Sequence, residues 1–268
     1  MSKIKLSIIT INWNNANGLK DTILSIIPQL DNQVQYIVID GMSTDGSVDV
    51  IKEYKDKITF WVSEPNKGIY GNMNRGIAEA KGEYCLFMNS GDRLADNILS
   101  EALTQCTGED IVYFDTYLSY DNRRFEVLRY SPNLTLRNFY RATIGHQSTF
   151  IKTVLFSKYG LYNEHNKVLS DYEFWIKTII LENATCKHSP LLLTYYDMGG
   201  RSSKKSKELL NEENAIIEKH IPSRILRDYE FWHEKKSEMQ ILNWYRNQRI
   251  LYGILVYIYK LIKRLKMH

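Results

Sequence analysis

Residues 6–13, LSIITINW, form an unbroken β-rich run without a charge, and such a run reads as a strand buried on both faces. That constrains the chain more than any other feature, because a strand covered on both sides needs helices above and below its sheet. The following residues supply them. A helix is predicted over 18–27, stopped by Pro28, then a second buried strand over 35–40. The turn GMSTDGS leads into a helix over 48–54 with Ser47 as its N-cap. A third strand (58–63), a helix (68–80) and a fourth strand (83–88) complete the pattern. Strands and helices alternating at these lengths make βαβ units and a largely parallel sheet, so the expected class is α/β and Rossmann-like.

After Asp92 the rhythm changes. A helix over 96–105 precedes a long strand over 110–120, and a turn at 121–122 with a return strand over 124–130 makes a hairpin. A strand at 147–152, a helix at 171–181 and a last strand at 191–196 follow, then the polar loop GGRSSKKSKE. The first 205 residues are therefore expected to form one domain, with halves at about 1–95 and 96–205, and residues 206–268 a helical extension.

Charge separates the two regions. Six basic residues and no acidic one lie between Ile241 and His268; without them the net charge of +4 becomes −2 for the first 240 residues. The basic balance belongs to the tail, so nucleic acid is not the expected partner. In the tail Leu251, Leu255, Ile258, Ile262 and Leu265 share one helical face opposite Lys260 and Arg264. The uncharged run 250–259 falls short of the ~20 residues of a membrane span. A basic amphipathic helix lying on an anionic membrane fits this pattern; docking on the body or on a second subunit is the alternative. Cys85, Cys106 and Cys186 are widely spaced and form no CxxC pair, which argues against disulfide or zinc scaffolding and for a reducing cytosol. The N-terminus runs straight into a strand, with none of the features of a signal peptide.

Ligands of open α/β sheets bind beyond the carboxyl ends of the strands. Asp40 ends the second strand there, where it either meets a ribose or base or organises its own turn. Asn89, Ser90, Gly91 and Asp92 follow the fourth strand, where a phosphate, sugar or metal ion is expected. A single aspartate at such a point is, taken alone, more often a turn residue. Asp171 opens a helix, where the macrodipole favours negative charge; it is either a cap or a reactive carboxylate.

In order, TINWNN, VIDGMSTDGS, SEPNKGIYGNMNRGIAEAKGEY, LFMNSGD and SDYEFWIK resemble glycosyltransferase family 2, over about residues 5 to 203. The resemblance implies an inverting, nucleotide-sugar-dependent enzyme of the GT-A fold, of the subgroup that builds bacterial surface polysaccharides (O-antigen, capsule, colanic acid). It implies that Thr10 and Asn12 line the nucleotide pocket and that Asp40 meets the uracil or ribose. Lys67, Gly68 and Tyr70 match the KGIY turn beside base and diphosphate, and Asn74 the MN(K/R)G helix. Asn89, Ser90 and Asp92 stand at the metal motif, with Asp92 as ligand of Mg²⁺ or Mn²⁺, and Asp171 at the catalytic base. His146 and Gln147 match a pair on the acceptor side, with Glu173 as fallback carboxylate. Arg201, in the Gly199–Ser202 loop, would close on the diphosphate.

Two departures stand out. The metal motif reads NSGD, with a single carboxylate, and Gly71 and Asn66 replace aspartates common in the family's DKGIYDAMN stretch. The expectation is transfer of a hexose or N-acetylhexosamine from a UDP-sugar to a hydroxyl of a glycan carried on a polyprenyl diphosphate, at the inner face of the plasma membrane. A nucleotidyltransferase and a non-catalytic sugar-nucleotide-binding protein are the alternatives; the first lacks support from a Gly-rich phosphate loop.

Overall fold

The computed structural model describes residues 4–120, 124–140, 142–199 and 206–265. Their strands are β1 (Leu6–Asn12), β2 (Val34–Asp40), β3 (Phe60–Ser63), β4 (Tyr84–Asn89), β5 (Arg93–Leu94), β6 (Ile111–Ser119), β7 (Phe125–Leu128), β8 (Thr149–Lys152) and β9 (Cys186–Asp197). They join in the order β3-β2-β1-β4-β8-β6-β9-β5, with β7 paired to β6. Pairing is parallel from β3 through β4 and again between β6 and β9, and antiparallel at the other joins. Registers Asn12↔Asp40 and Ile11↔Asn89 bring the carboxyl ends of β1, β2 and β4 level, which creates one mouth.

The helices are α1 (Ala16–Ile26), α2 (Ser47–Glu53), α3 (Gly68–Glu79), α4 (Leu99–Thr104), α5 (Leu136–Phe139), α6 (Val154–Tyr159), α7 (Ser170–Trp175), α8 (Lys207–His220), α9 (Ser223–Glu234), α10 (Lys236–Asn247) and α11 (Arg249–Leu265). Every residue of β1 and β2 is buried. One face, with Leu6, Ile8, Tyr36, Val38 and Leu86, packs in a core with Leu19, Ile23 and Ile26 of α1 and Ile51 of α2. On the other face Ile9 meets α3, where a Cβ added at Gly76 would lie 2.3 Å from Ile9 Cγ2. Alternate side chains of one strand thus fill both cores, the physical reason for the uninterrupted run.

Three local expectations are corrected. The predicted helix over 171–181 ends as α-helix at Trp175 and continues as π-helix over Ile176–Leu181. Gly46, in a left-handed conformation (φ 96°), caps α2 in place of Ser47, whose hydroxyl donates to Asp45 Oδ1 at 2.6 Å. The last strand begins five residues earlier than expected, at Cys186, because it pairs along β6. The hairpin of β6 and β7 is present; its turn at 121–122 lies outside the described residues.

The chain divides into two compact units, one up to Ile216 and one from Ile217 onward. In the second, α11 leaves Leu251, Leu255, Ile258, Ile262 and Leu265 exposed. Among the described residues no helix is long and apolar enough to cross a membrane. All three cysteines are free, and burial pushes the Cys85 thiol up to about 12.

Candidate active site

The SDYEFW sequence of α7 shows how one short helix can carry a site. Phe174 and Trp175 face inward. Phe174 stacks on Phe156 (4.8 Å between centroids) and meets Tyr162 edge-on (5.4 Å), and Tyr162 in turn packs on Phe87 of β4 (5.4 Å). Trp175 donates its indole N–H to the Ile144 carbonyl (3.2 Å), and Tyr172 its hydroxyl to the Phe139 carbonyl (2.7 Å). These aromatic anchors fix the rotation of the helix about its axis. Asp171 is thereby turned toward the mouth of the sheet.

Asp171 is bound at both oxygens. His146 Nδ1 lies 2.9 Å from Oδ2, and the Tyr70 hydroxyl 3.0 Å from Oδ1. The same hydroxyl also points to the Val168 carbonyl, so its one proton is shared between two acceptors. Burial, and then the Asp171 charge, hold the Tyr70 phenol well above its ordinary value, so it stays a donor. Burial pulls the His146 pKa down, but its hydrogen bond and charge interaction with Asp171 outweigh this and leave it above the usual histidine value. The other ring nitrogen, Nε2, is 3.3 Å from Asn89 Nδ2. One imidazole therefore links the end of β4 to the carboxylate of α7.

Asp92, three residues beyond the end of β4 and bonded through its N–H to the Asn89 carbonyl (3.0 Å), is 3% exposed. Its Oδ1 accepts the Asp197 N–H (3.0 Å), and its buried Oδ2 has no partner. Burial pushes its pKa up to about 6, and the nearby Asp197 charge adds to the rise. A buried carboxylate oxygen without a donor suits a hard cation, which satisfies it directly. Asn89 Oδ1, also buried and unpartnered, is a second oxygen at the same strand end. Among the described residues no three His, Cys, Asp or Glu side chains gather at one point. A divalent ion would thus be held by few protein oxygens, completed by those of a bound ligand. The donors present fit an ion of that kind.

Asp197, at the end of β9, is a residue that sequence reasoning missed. Gly91 has φ 111°, and a Cβ there would lie 3.0 Å from Asp197 Oδ2. This explains NSGD: the backbone excludes a side chain at residue 91, and the carboxylate beside it comes from a distant strand. The only trace in the sequence was the position of Asp197 at a strand end before Gly199 and Gly200.

Other expected site residues are placed differently. Thr10 is wholly buried with its hydroxyl 3.2 Å from Tyr36 OH, one pleat short of the mouth. Asp40 is also fully buried, and accepts from Asn12 Nδ2 (2.8 Å), Ser43 N (3.0 Å), Ser43 Oγ (2.6 Å) and Ser63 Oγ (2.6 Å). These four donors make Asp40 an organiser of the mouth. Asn74 bonds the Tyr162 backbone and Glu164 (2.9 Å), tying α3 to that loop. Gln147 is buried, its amide folded over Gly145. Glu173 accepts from Asn163 (3.0 Å) and Asn166 (2.7 Å), away from Asp171. Arg201 lies outside the described residues.

Asn12 stays at the mouth, with its buried Oδ1 unpartnered. Exposed Trp13 stands next to it. Exposed Lys67 precedes Gly68 (φ 81°), whose N–H donates to Asn66 Oδ1 (2.8 Å). Asn66 also accepts from Asn72 (3.1 Å), which shows how an asparagine serves in this turn. Ser90 receives Asn15 Nδ2 on its carbonyl (3.0 Å).

Residues 7–164 match the family model Glycosyl transferase family 2. An uncharacterized glycosyltransferase of Mycobacterium tuberculosis is 29% identical over 186 residues, which cover 66% of this chain and 69% of that protein. A PGL/p-HBAD biosynthesis glycosyltransferase of Mycobacterium bovis is 28% identical over 204 residues, 73% of this chain and 75% of that one. Among solved structures, S. aureus TarS 1–349 in complex with UDP-GlcNAc superposes with a TM-score of 0.62 at 20% identity, covering 75% of this chain and 61% of that one. Against the longer TarS chain the share is 79% of this chain and 39% of that one. The mannosyltransferase PcManGT from Pyrobaculum calidifontis, in complex with GDP-Man and Mn²⁺, gives 0.57 at 15% identity, covering 74% and 58%. The structural likenesses establish a GT-A-type fold.

Proposed function

The chain belongs to glycosyl transferase family 2, and on that premise we propose that it is an inverting transferase acting on a UDP-sugar. The observation that carries this is the link made by one histidine, His146, whose Nδ1 meets Asp171 on α7 and whose Nε2 meets Asn89 at the end of β4, three residues before the buried Asp92. An inverting displacement needs that pairing: a carboxylate at the incoming hydroxyl and charge neutralisation at the departing diphosphate.

Asp171 takes the proton of the acceptor hydroxyl as the glycosidic bond forms. His146 and Tyr70 hold its two oxygens, so the carboxylate is oriented before the acceptor arrives. Asp92, with Asn89 Oδ1 and the Asp197 carboxylate beside it, would hold Mg²⁺ or Mn²⁺ against the diphosphate. Such an ion, when bound, neutralises the negative charge that develops on the leaving group. Lys67 would add positive charge near the diphosphate, and the family resemblance implies the same role for Arg201. Trp13 offers an exposed ring for stacking on the base.

The proposed donor sugar is a hexose or N-acetylhexosamine, and the acceptor a hydroxyl of a glycan on a polyprenyl diphosphate, in the assembly of a bacterial surface polysaccharide. The catalytic domain is assigned to residues 1–205 and the helical extension to 206–268. The amphipathic, basic α11 supports attachment to the inner face of the plasma membrane. Calorimetric titration with UDP and GDP, with and without Mn²⁺, tests the reading first. Metal-dependent UDP binding that is lost in Asp92→Ala supports it, and a preference for GDP moves the donor class. Binding with no turnover over a wide panel of acceptors would overturn it.

A further inference from the structure

Glu212 lies on α8, beyond the span matched by the family model and beyond the segment whose sequence resembles the family. Its carboxylate accepts three consecutive backbone N–H groups: Lys167 on Oε2 (3.1 Å), and Val168 (3.0 Å) and Leu169 (2.7 Å) on Oε1. Leu169 is the N-cap residue of α7 and has no side-chain acceptor to offer, while within the first turn Asp171 Oδ1 takes the Tyr172 N–H (2.9 Å). A leucine at this position cannot cap, and the segment that leads into α7 is held instead by a carboxylate borrowed from another helix. Three charge-assisted bonds to one carboxylate are a strong local tie.

The same peptide segment is held from its other side. The Val168 carbonyl bonds the Tyr70 hydroxyl, and that hydroxyl also reaches Asp171 Oδ1. Residue 168 is thus pinned at its N–H by Glu212 and at its carbonyl by Tyr70, three residues before Asp171. The aromatic anchors of α7 all lie C-terminal to Asp171, at Tyr172, Phe174 and Trp175. On the N-terminal side, bonds from Glu212 and Tyr70 hold the residues that lead to the carboxylate.

We infer that Glu212 is a positioning residue for the transfer reaction, setting the start of α7 so that Asp171 stays within reach of Tyr70 and His146. The inference rests on Asp171 being the base. It also extends the catalytic domain proposed above past residue 205 into the first turns of α8, within the compact unit that ends at Ile216.

The test uses the full chain and measures UDP release from UDP-GlcNAc and UDP-glucose with Mn²⁺, the UDP dissociation constant by calorimetry, and amide hydrogen exchange. Glu212→Ala is expected to lower turnover at least tenfold, with donor KM and UDP affinity within twofold of the parent. Exchange at residues 167–171 rises while the melting temperature of the core is kept. Glu212→Gln, which retains Oε1 for Val168 and Leu169, recovers part of the turnover, and Asn211→Ala on the same helix leaves it unchanged. In an Asp171→Asn background, Glu212→Ala brings no further loss, because its effect passes through Asp171. Turnover unchanged in Glu212→Ala, or exchange at 167–171 unaltered, would overturn the inference while leaving the base assignment standing. A loss of UDP affinity parallel to the loss of turnover overturns it too, by showing a general structural role. Full turnover in Asp171→Asn would instead remove the base assignment, and the inference with it.

Discussion

His146 Nδ1 lies 2.9 Å from Asp171 Oδ2, and both side chains are mostly buried. A neutral imidazole with its proton on Nδ1 donates to the carboxylate and leaves Nε2 to accept from Asn89 Nδ2. In that state the histidine orients the carboxylate without competing for the proton that Asp171, as the proposed base, would receive. Asp171→Asn is expected to lower turnover by about 10³-fold at unchanged UDP affinity. His146→Ala is expected to cost roughly 10²-fold through misplacement of Asp171. Steady-state UDP release measured beside UDP calorimetry checks both, and turnover that survives in Asp171→Asn excludes it as the base.

Asp92 carries a stability cost that depends on pH. Its folded pKa of about 6 exceeds the ordinary 3.8, so the folded state binds the proton more tightly than the unfolded chain. Stability from this group is fully present below about pH 4 and is lost as pH rises through 6. The difference amounts to about 3 kcal/mol at neutral pH, since each unit is worth ~1.4 kcal/mol. Asp92→Asn is therefore expected to melt above the parent at pH 7.5 and close to it at pH 4, while losing Mn²⁺-dependent UDP binding. Melting curves across that range decide the matter; equal melting temperatures at pH 7.5 would contradict it.

Asp40 holds the mouth of β1 and β2. Asp40→Ala strands Asn12 Nδ2, Ser43 N, Ser43 Oγ and Ser63 Oγ without their acceptor. Destabilisation on the order of 3 kcal/mol is expected. Urea titration measures it, and a change below ~1 kcal/mol would show that these donors find other partners.

Gly91 is required by backbone and by space. Gly91→Ala forces an L side chain into φ 111° and sets its Cβ 3.0 Å from the Asp197 carboxylate. Loss of ~1–3 kcal/mol is expected from the backbone alone. Asp197→Ala in the same chain relieves the contact but not the torsion, so the double variant should stay less stable than Asp197→Ala by about 1 kcal/mol or more. Equal stability of those two would place the whole effect in the contact.

The uncharged run of β1, the alternation that follows it and the residues at the carboxyl ends of β1, β2 and β4 were legible in the chain. A strand buried on both faces leaves a local signature, and the parallel half of the sheet followed from it. The antiparallel half was less legible, since β8 and β5 are short and owe their pairing to distant partners. Within the site, position along a strand could not distinguish Asp40, whose oxygens turn inward, from Asp92, which keeps one oxygen unpartnered.

What the sequence determined by itself is therefore the α/β architecture, the place of the mouth and the order of its motifs, because these depend on local periodicity. Tertiary structure alone decided which carboxylates come together at the mouth. His146 meets Asp171 across 25 residues, Asp197 reaches Asp92 across 105, and Glu212 caps a segment more than 40 residues before it. Such contacts arise only when separate segments pack against one sheet, and burial then sets which carboxylate oxygens are satisfied and which remain for chemistry.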